Sequence, residues 1–275
     1  MAVTAKTDLG DSQVAVYDAA VNVFGQNMAS VDNDGSVTRG GSFNGATNDF
    51  AIYTKLDPVV VALTDGTEAT PVTMVDTKVT IEPLEYGAVV APTKLADAST
   101  AGRANLAAAK MVGINMFESP NALGVATLEA GTNSTAAAVT GTLGTADLRV
   151  AYEKLVTAGV LPFADGYYRL RANPAQVSDL KDEYIAITQY ATPDTALGGE
   201  VGRIEGFTVI QDRAVTAETA VCYGDNGLGK SESAPTQPTI IDGVDNLNRL
   251  RNYGWYGIYA YGIVDQNAVQ VITGA

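Results

Sequence analysis

Residues 224–231 carry the clearest pattern for chemistry in this sequence. They read Gly-Asp-Asn-Gly-Leu-Gly-Lys-Ser and match GxxxxGK[ST], a loop whose backbone N–H groups and lysine hold nucleotide phosphates. Such a loop needs a strand before it and a helix after it, because the helix N-terminus supplies phosphate-binding amides. Pro235 and Pro238 follow, and proline disrupts a helix interior. We interpret the segment as a Gly-rich surface turn and keep a P-loop nucleotide hydrolase as the enzyme alternative.

Two further patterns resemble functional sites more weakly. Residues 32–35 read Asp-Asn-Asp-Gly, but the glycine expected in a calcium loop falls at Val37, and no glutamate closes the loop. Glu82 with Glu85, and the pair at 182–183, are carboxylates close enough for acid–base work. Neighbouring carboxylates usually mark a solvated face, and no partner group indicates a raised pKa here. We predict no catalytic residue, no metal site and no cofactor.

The residue counts exclude several classes of site. The chain has 275 residues, no histidine and one cysteine, Cys222. A His-based triad, a thiolate–histidine pair, a Cys/His zinc site and an internal disulfide are therefore impossible. Lys and Arg number 17 against 31 Asp and Glu, which gives a net charge of −14. Such acidity argues against tight binding to a nucleic-acid backbone, which needs clustered cations.

The excess negative charge is concentrated toward the N-terminus. Residues 1–100 hold 5 basic and 13 acidic side chains, net −8 of the total −14. The first ten residues show no basic region followed by an apolar stretch, and no apolar run is long enough to span a membrane. We expect a soluble, unprocessed chain.

Hydrophobic periodicity predicts an arm, an excursion and a long helix in the first half of the chain. Residues 11–28 have the spacing of a short amphipathic helix. Residues 50–63 and 71–90 are rich in β-formers and flank a turn at 64–67, which predicts a long β-hairpin-like excursion. Its few large apolar residues suggest that it leans on something outside itself. Residues 98–117 carry apolar side chains at helical intervals, and a small-residue linker follows at 131–144.

The second half reads as a compact α/β region. We expect a helix capped by Thr145 and ended at Gly159, and a second helix that begins at the Asn173-Pro174 dipeptide. Strands are predicted at 166–171, 206–211 and 220–223, and a long terminal strand or hairpin at 254–273.

The order of these segments resembles the major capsid proteins of tailed bacteriophages, which have the Hong Kong 97-like fold. Three stretches carry the likeness. Residues 199–210 (GEVGRIEGFTVI) are similar to a strand–turn–strand common in that family, residues 167–180 lead a strand into an Asn-Pro helix start, and residues 252–262 read NYGWYGIYAYG. The resemblance covers nearly the whole chain, and the order of the motifs gives it most of its weight.

The resemblance implies an α+β fold with five regions. These are an N-terminal arm (1–34), an extended β-hairpin loop (35–88), a peripheral domain with a long spine helix (89–137), an axial α/β domain (138–250), and a C-terminal strand that returns to the peripheral domain (251–275).

The resemblance also implies a structural function. The chain would assemble as hexamers and pentamers into the icosahedral head shell that encloses phage double-stranded DNA, with scaffolding, portal and decoration proteins as further partners. The DNA would be weakly contacted cargo, no membrane would be involved, and the chain would be made in the host bacterial cytoplasm before it enters the virion. A tail-tube or decoration subunit is the structural alternative.

We expect the aromatic cluster at 253–261 to pack in the core and at subunit interfaces, because Tyr and Trp combine contact area with a polar tip. The acidic arm and loop are expected to dock on arginine-bearing faces of neighbouring copies. Some family members crosslink a loop lysine to a neighbour's asparagine, but no partner residue matches here, so we do not carry that chemistry over. The predicted inter-subunit contacts are Phe50, Tyr53, Lys55, Lys78, Arg103, Arg169, Arg171, Trp255 and Tyr256.

Overall fold

The computed structural model describes residues 30–32, 37–40, 47–53, 56, 58, 60–63, 65–66, 68, 70–100, 103–187, 202–242 and 249–275. The predicted helix at 11–28 and Lys55 lie outside the described residues. The described chain is a mixed α+β structure, as the sequence predicts, with a four-stranded sheet, a six-stranded sheet and a two-stranded sheet.

The four-stranded sheet gathers strands from both ends of the chain. Its order is β1-β10-β11-β4, in which β1 pairs parallel with β10 and the other pairs are antiparallel. The period-two spacing of the aromatic cluster places its odd-numbered members on one buried face, which confirms the core part of the prediction. The strands are β1 Val37–Arg39, β4 Leu84–Val90, β10 Leu228–Asp242 and β11 Arg251–Ile263.

A long helix packs on that aromatic face. Helix α1 spans Lys94–Ser99, and helix α2 spans Arg103–Glu129 with Pro120 inside it. We expected this helix to end at Phe117, and that boundary was wrong. Residues beyond the proline, among them Val125 and Leu128, continue the buried face of the helix. The free energy gained by burying this face against the sheets therefore exceeds the cost of the backbone hydrogen bond that Pro120 cannot donate.

The excursion consists of β2, Asn48–Tyr53, and β3, Asp76–Ile81, which pair antiparallel from Asn48↔Ile81 to Tyr53↔Asp76. The hairpin-like pairing is confirmed, although the strands are shorter than predicted, and residues 84–90 join the four-stranded sheet as β4. A turn occurs at 65–66, where Gly66 has φ +76°, a value that favours glycine.

The root of the excursion packs against β11. Phe50 and Ile81 form a small cluster with Ala260 and Val264. Gly262 makes this contact possible, because a Cβ there would approach Ile81 Cδ1 to 2.7 Å. The excursion is therefore fixed at its base by the same strand that carries the aromatic core.

The six-stranded sheet has the order β5-β12-β9-β6-β8-β7 and builds the α/β region. The predicted strands at 166–171, 206–211 and 220–223 are confirmed within one or two residues, and a short strand forms inside the predicted linker. The strands are β5 Ser134–Ala136, β6 Tyr168–Ala172, β7 Arg203–Ile204, β8 Phe207–Gln211, β9 Thr219–Tyr223 and β12 Val269–Thr273.

Two helices complete this region. Helix α3 spans Thr145–Thr157, and its N-cap is Gly144 rather than Thr145. The Asp147 carboxylate accepts a hydrogen bond from the Gly144 N–H at 3.1 Å, so the acid in the first turn takes the capping role. Helix α4 spans Pro174–Ile187, and Asn173 Oδ1 accepts from the Ala175 N–H at 3.2 Å, which confirms the Asn-Pro start.

The last segment of the chain forms two strands in two different sheets. Strand β11 crosses the four-stranded sheet, a short 3-10 turn follows at Gln266–Ala268, and β12 enters the six-stranded sheet between β5 and β9. The expectation of one terminal strand or hairpin was wrong, because β11 and β12 do not pair with each other. These strands tie the two halves of the molecule together.

Candidate assembly surfaces and the arm anchor

The segment at 224–231 is a turn followed by a strand. Asn226 has φ +60°, and β10 begins at Leu228, where a phosphate-binding loop would begin a helix. The Lys230 side chain is only 3% exposed, and its Nζ lies 2.5 Å from Asp32 Oδ2 and 3.1 Å from Glu232 Oε1. The lysine is held by two carboxylates of its own chain, so the segment lacks both the helix and the available cation that phosphate binding requires.

Asp32 belongs to a short segment, residues 30–32, that we call the arm anchor. Val31 is fully buried in the main core, and its N–H donates to Asn121 Oδ1 at 2.9 Å. Asp32 accepts from Lys230 and also from the Tyr261 hydroxyl at 2.9 Å. Burial, reinforced by the Asp32 carboxylate, raises the pKa of Tyr261 well above its ordinary value. The anchor therefore lies between α2 and the four-stranded sheet.

Arg171 belongs to a buried network. It has no exposed surface, and its Nη1 lies 2.6 Å from Asp212 Oδ2. The same carboxylate accepts from Asn121 Nδ2 at 2.9 Å, and the Tyr223 hydroxyl accepts from Arg171 Nε at 2.9 Å. We expected Arg171 to contact a neighbouring copy. The structure instead buries this guanidinium inside the chain, where it joins β6 to α2 and has no surface to offer a neighbour.

The aromatic residues predicted at interfaces divide between core and surface. Trp255 is 4% exposed, and its Nε1 donates to Asn115 Oδ1 at 2.7 Å; Phe50 is 8% exposed at the root of the excursion. These two side chains are buried within the chain's own core. Tyr256 is 43% exposed and Tyr53 is 60% exposed, so both rings keep accessible surface. The alternation along β11 explains the difference between Trp255 and Tyr256.

The charged residues predicted at interfaces lie mainly at the surface. Lys78 pairs with Asp49 across β2 and β3 at 2.9 Å, with both side chains well exposed. Arg103, at the start of α2, is exposed. Arg169 is mostly covered and pairs with Asp165 at 2.6 Å.

The outer part of the excursion carries exposed apolar side chains that our list of contact residues omits. Between the ends of β2 and β3, the described residues show no regular strand or helix. A run of valines beginning at position 59 is the sequence signal that could have found this surface. Its exposed apolar members are Leu56, Val60, Val61, Leu63, Val72, Met74 and Val75, between 56% and 90% exposed.

Two smaller apolar surfaces lie on the body. On helix α3 and the loop after it, Val150, Tyr152, Val156 and Leu161 are between 40% and 69% exposed. On β4, Leu84 is 55% and Val89 is 63% exposed. Apolar side chains grouped in this way indicate contacts with other protein surfaces.

The described residues include no group of three or more histidine, cysteine, aspartate or glutamate side chains placed to hold a metal ion. Among the same residues, no helix combines the length and apolar character needed to cross a bilayer.

Comparison with known proteins shows a shared fold without recognisable sequence similarity. No protein-family model and no curated protein sequence matches the chain. Among solved structures, the capsid of the cyanophage P-SCSP1u aligns with a TM-score of 0.67 at 11% identity, covering 90% of this chain and 88% of that chain. The acid-stable capsid of Helicobacter pylori bacteriophage KHP30 aligns with a TM-score of 0.68 at 14% identity, covering 86% and 87%. A virus-like particle from Pyrococcus furiosus aligns with a TM-score of 0.61 at 10% identity, covering 94% and 99%.

Proposed function

We propose that this chain, which has the Hong Kong 97-like capsid fold, is the major capsid protein of a tailed bacteriophage. Copies of it self-assemble into the icosahedral shell that encloses the phage double-stranded DNA. The observation that carries the proposal is the extent of the structural likeness, which runs through nearly all of this chain and nearly all of each capsid chain. A shared local motif would leave one of the two chains largely uncovered.

The surface of the chain supports the same proposal. The excursion is fixed at its root by Phe50 and Ile81, while its outer part exposes aliphatic side chains. An isolated monomer gains nothing from such a surface, whereas a shell covers it with a neighbouring copy. We therefore propose that the excursion leans on a neighbouring copy.

The negative net charge of the chain is compatible with a shell that encloses DNA without binding it tightly. A net charge of −14 repels DNA and leaves it weakly contacted, so the packaged molecule slides during filling. We place the chain in the virion after synthesis in the host bacterial cytoplasm, and we infer no membrane partner.

We further propose that the copies form hexamers and pentamers, with scaffolding, portal and decoration proteins as additional partners. The regional assignment stays part of this proposal: arm 1–34, extended loop 35–88, peripheral domain 89–137 and axial domain 138–250. The final region, 251–275, needs dividing, since β11 lies in the four-stranded sheet and β12 in the six-stranded sheet.

We infer that the chain has no enzymatic activity. The nucleotide-hydrolase alternative depended on Lys230, which is held by Asp32 and Glu232 in a strand. Measurable ATP binding that Lys230→Ala abolishes, with Lys154→Ala as a matched surface control, would restore that alternative. We expect neither protein to bind ATP.

Negative-stain electron microscopy of the purified chain, alone and co-expressed with its neighbouring structural genes, tests the capsid proposal. We expect closed icosahedral shells of uniform diameter. Tubes would support the tail-tube alternative, and monomers under both conditions would contradict the proposal.

A further inference from the structure

We propose that two copies of this chain pair through strand β4, so that their four-stranded sheets join edge to edge across a two-fold axis. The inference rests on the proposed function, because a shell brings many copies of the same edge together. It adds a specific strand, a register and a symmetry to the general proposal of self-assembly. The occupant of the edge is a second copy of this chain.

The two edges of the four-stranded sheet differ in how well they are protected. At one edge, β1 covers only Leu228, Gly229 and Lys230 of the much longer β10. The part of β10 beyond β1 contains Pro235 and Pro238 and two register shifts. Proline has no N–H to donate and bulges bend a strand, so another strand cannot add easily here.

Strand β4, at the other edge, has none of these protective features. Its seven residues, LEYGAVV, contain no proline and no lysine. It pairs with β11 in an unbroken register from Leu84↔Tyr259 to Val90↔Tyr253. Among the described residues, no strand pairs with the outer edge of β4. A straight apolar edge of this kind is a template for a further strand, and an edge left open in this way favours association.

The sequence of β4 is compatible with pairing to itself. In an antiparallel pair centred on Gly87, all seven residues find a partner: Leu84 faces Val90, Glu85 faces Val89, and Tyr86 faces Ala88 of the second copy. Glu85 is the only charged residue of the strand, and in this register it meets an exposed valine rather than another carboxylate. Centring the pair on position 85 would bring two glutamates together, which is destabilising.

The same register suits the packing on both faces of the sheet. Tyr86, Ala88 and Val90 contact the core under α2, whereas Glu85 and Val89 point to the exposed face. Because partners at opposite positions share a face, the two copies of α2 lie on the same side of the joined sheet. Leu84, which is 55% exposed in one copy, gains Val90 of the second copy as a neighbour. The interface is therefore isologous.

Disulfide trapping in assembled particles tests this register directly. In the double variant Glu85→Cys/Val89→Cys, the two positions face each other across the axis, at a Cβ separation of about 5 Å, near the range for a disulfide. Cys222, the native cysteine, is fully buried and does not interfere. Mild oxidation should give covalent dimers on a non-reducing gel. Each single variant is the control, because identical positions in the two copies lie about 13 Å apart along the strand.

A charge exchange gives an independent readout. Val89→Glu places two carboxylate pairs at each two-fold contact and should lower the yield of particles by about tenfold. Glu85→Lys/Val89→Glu restores opposite charges and should recover the yield. Glu85 also accepts a hydrogen bond from Tyr256, so Glu85→Lys alone controls for the loss of that contact. Val139→Glu, at another exposed valine, controls for added surface charge.

The outcomes separate the two proposals. Pairing through β4 is overturned if the wild-type chain forms shells while the double cysteine variant does not crosslink and Val89→Glu assembles as well as Val139→Glu. That result would leave the capsid function standing. A wild-type chain that forms no shells under any condition contradicts the capsid function itself. Crosslinked dimers together with recovery by the charge exchange support the register.

Discussion

At the scale of single residues, the structure separates charges that stabilise the fold from charges that are available to neighbours. Arg171 and Asp212 are both almost fully buried, and Asn121 and Tyr223 hydrogen-bond to them. From the sequence, Arg171 is indistinguishable from Arg169, which alternates with the apolar side chains of the same strand. Asn121, Asp212 and Tyr223 enclose the Arg171 guanidinium from distant parts of the chain, and long-range packing of this kind leaves no local sequence pattern.

We predict that Asp212→Ala destabilises the fold by about 3–5 kcal/mol, because it leaves the Arg171 guanidinium buried without its counter-charge. Urea unfolding followed by tryptophan fluorescence measures the change. Asp165→Ala removes the partially exposed partner of Arg169 and should cost no more than about 1 kcal/mol. Equal losses for the two variants would show that the buried pair does not hold the core.

The pH dependence of the excursion follows from Asp49. A hydrogen bond from Lys78, and then one from Thr80, lowers the pKa of the Asp49 carboxyl. A carboxyl whose pKa is lower in the folded state stabilises that state above its unfolded pKa, and the contribution is lost as the pH falls through the folded pKa. We expect the protection factors of the amides in β2 and β3, which correct the exchange rates for their intrinsic pH dependence, to fall on acidification below pH of about 4. Asp49→Asn should remove this response, whereas an unchanged response in that variant would assign it to another group.

At the scale of elements, residues far apart in sequence decide where α2 ends and where the excursion is held. The helical period at 98–117 predicts a helix there, and Pro120, three residues later, disfavours its continuation. The continuation to Glu129 depends on contacts with strands more than 90 residues later, such as β11 and β12. In the same way, the pairing of β2 with β3 was predictable from composition, but the assignment of 84–90 to another sheet was not, because β11 supplies its partner.

The outer part of the excursion provides the prediction at this scale. Val60 and Val61 are 90% and 75% exposed, so Val60→Asp/Val61→Asp should leave the thermal unfolding of the monomer unchanged within about 0.5 kcal/mol. Particle formation should be strongly reduced, because a neighbouring copy would have to bury two carboxylates. Electron microscopy and light scattering measure the yield. Val139→Asp is the matched control, and normal shells from the double variant would show that the excursion does not contact a neighbour through these residues.

At the scale of the whole molecule, the fold was more predictable from the sequence than the exposed surface. The order of segments allowed the fold to be predicted, and the comparisons support that fold at identities of 10% to 14%. The division between buried and exposed residues was much less predictable: of the residues expected at contacts, Trp255 and Phe50 lie in the core, whereas the exposed valines of the excursion were not among those expected. Hydrophobic residues carry no sequence mark that tells a core from an interface, because the same physical driving force fills both.

Ionic strength should affect the shell. Residues 1–100 hold 8 of the 14 excess negative charges, and we expect them to face arginine-bearing surfaces of neighbouring copies. Raising the salt concentration from about 0.05 M to 1 M shortens the screening length from more than 10 Å to about 3 Å and should slow assembly or lower its yield. Time-resolved light scattering measures the effect, with uncharged sucrose at equal osmolality as the control. A shell indifferent to salt would contradict this docking.

The burial of Cys222 makes its thiol a natural probe of local unfolding. Its thiol lies in β9 at the centre of the six-stranded sheet with no exposed surface, and burial raises the pKa of that thiol far above its ordinary value. A thiol reagent therefore reacts only when the sheet opens. The labelling rate of this natural cysteine reports how often the sheet around β9 opens, and comparing free chains with any particles that form would show, without an engineered probe, whether assembly suppresses that opening.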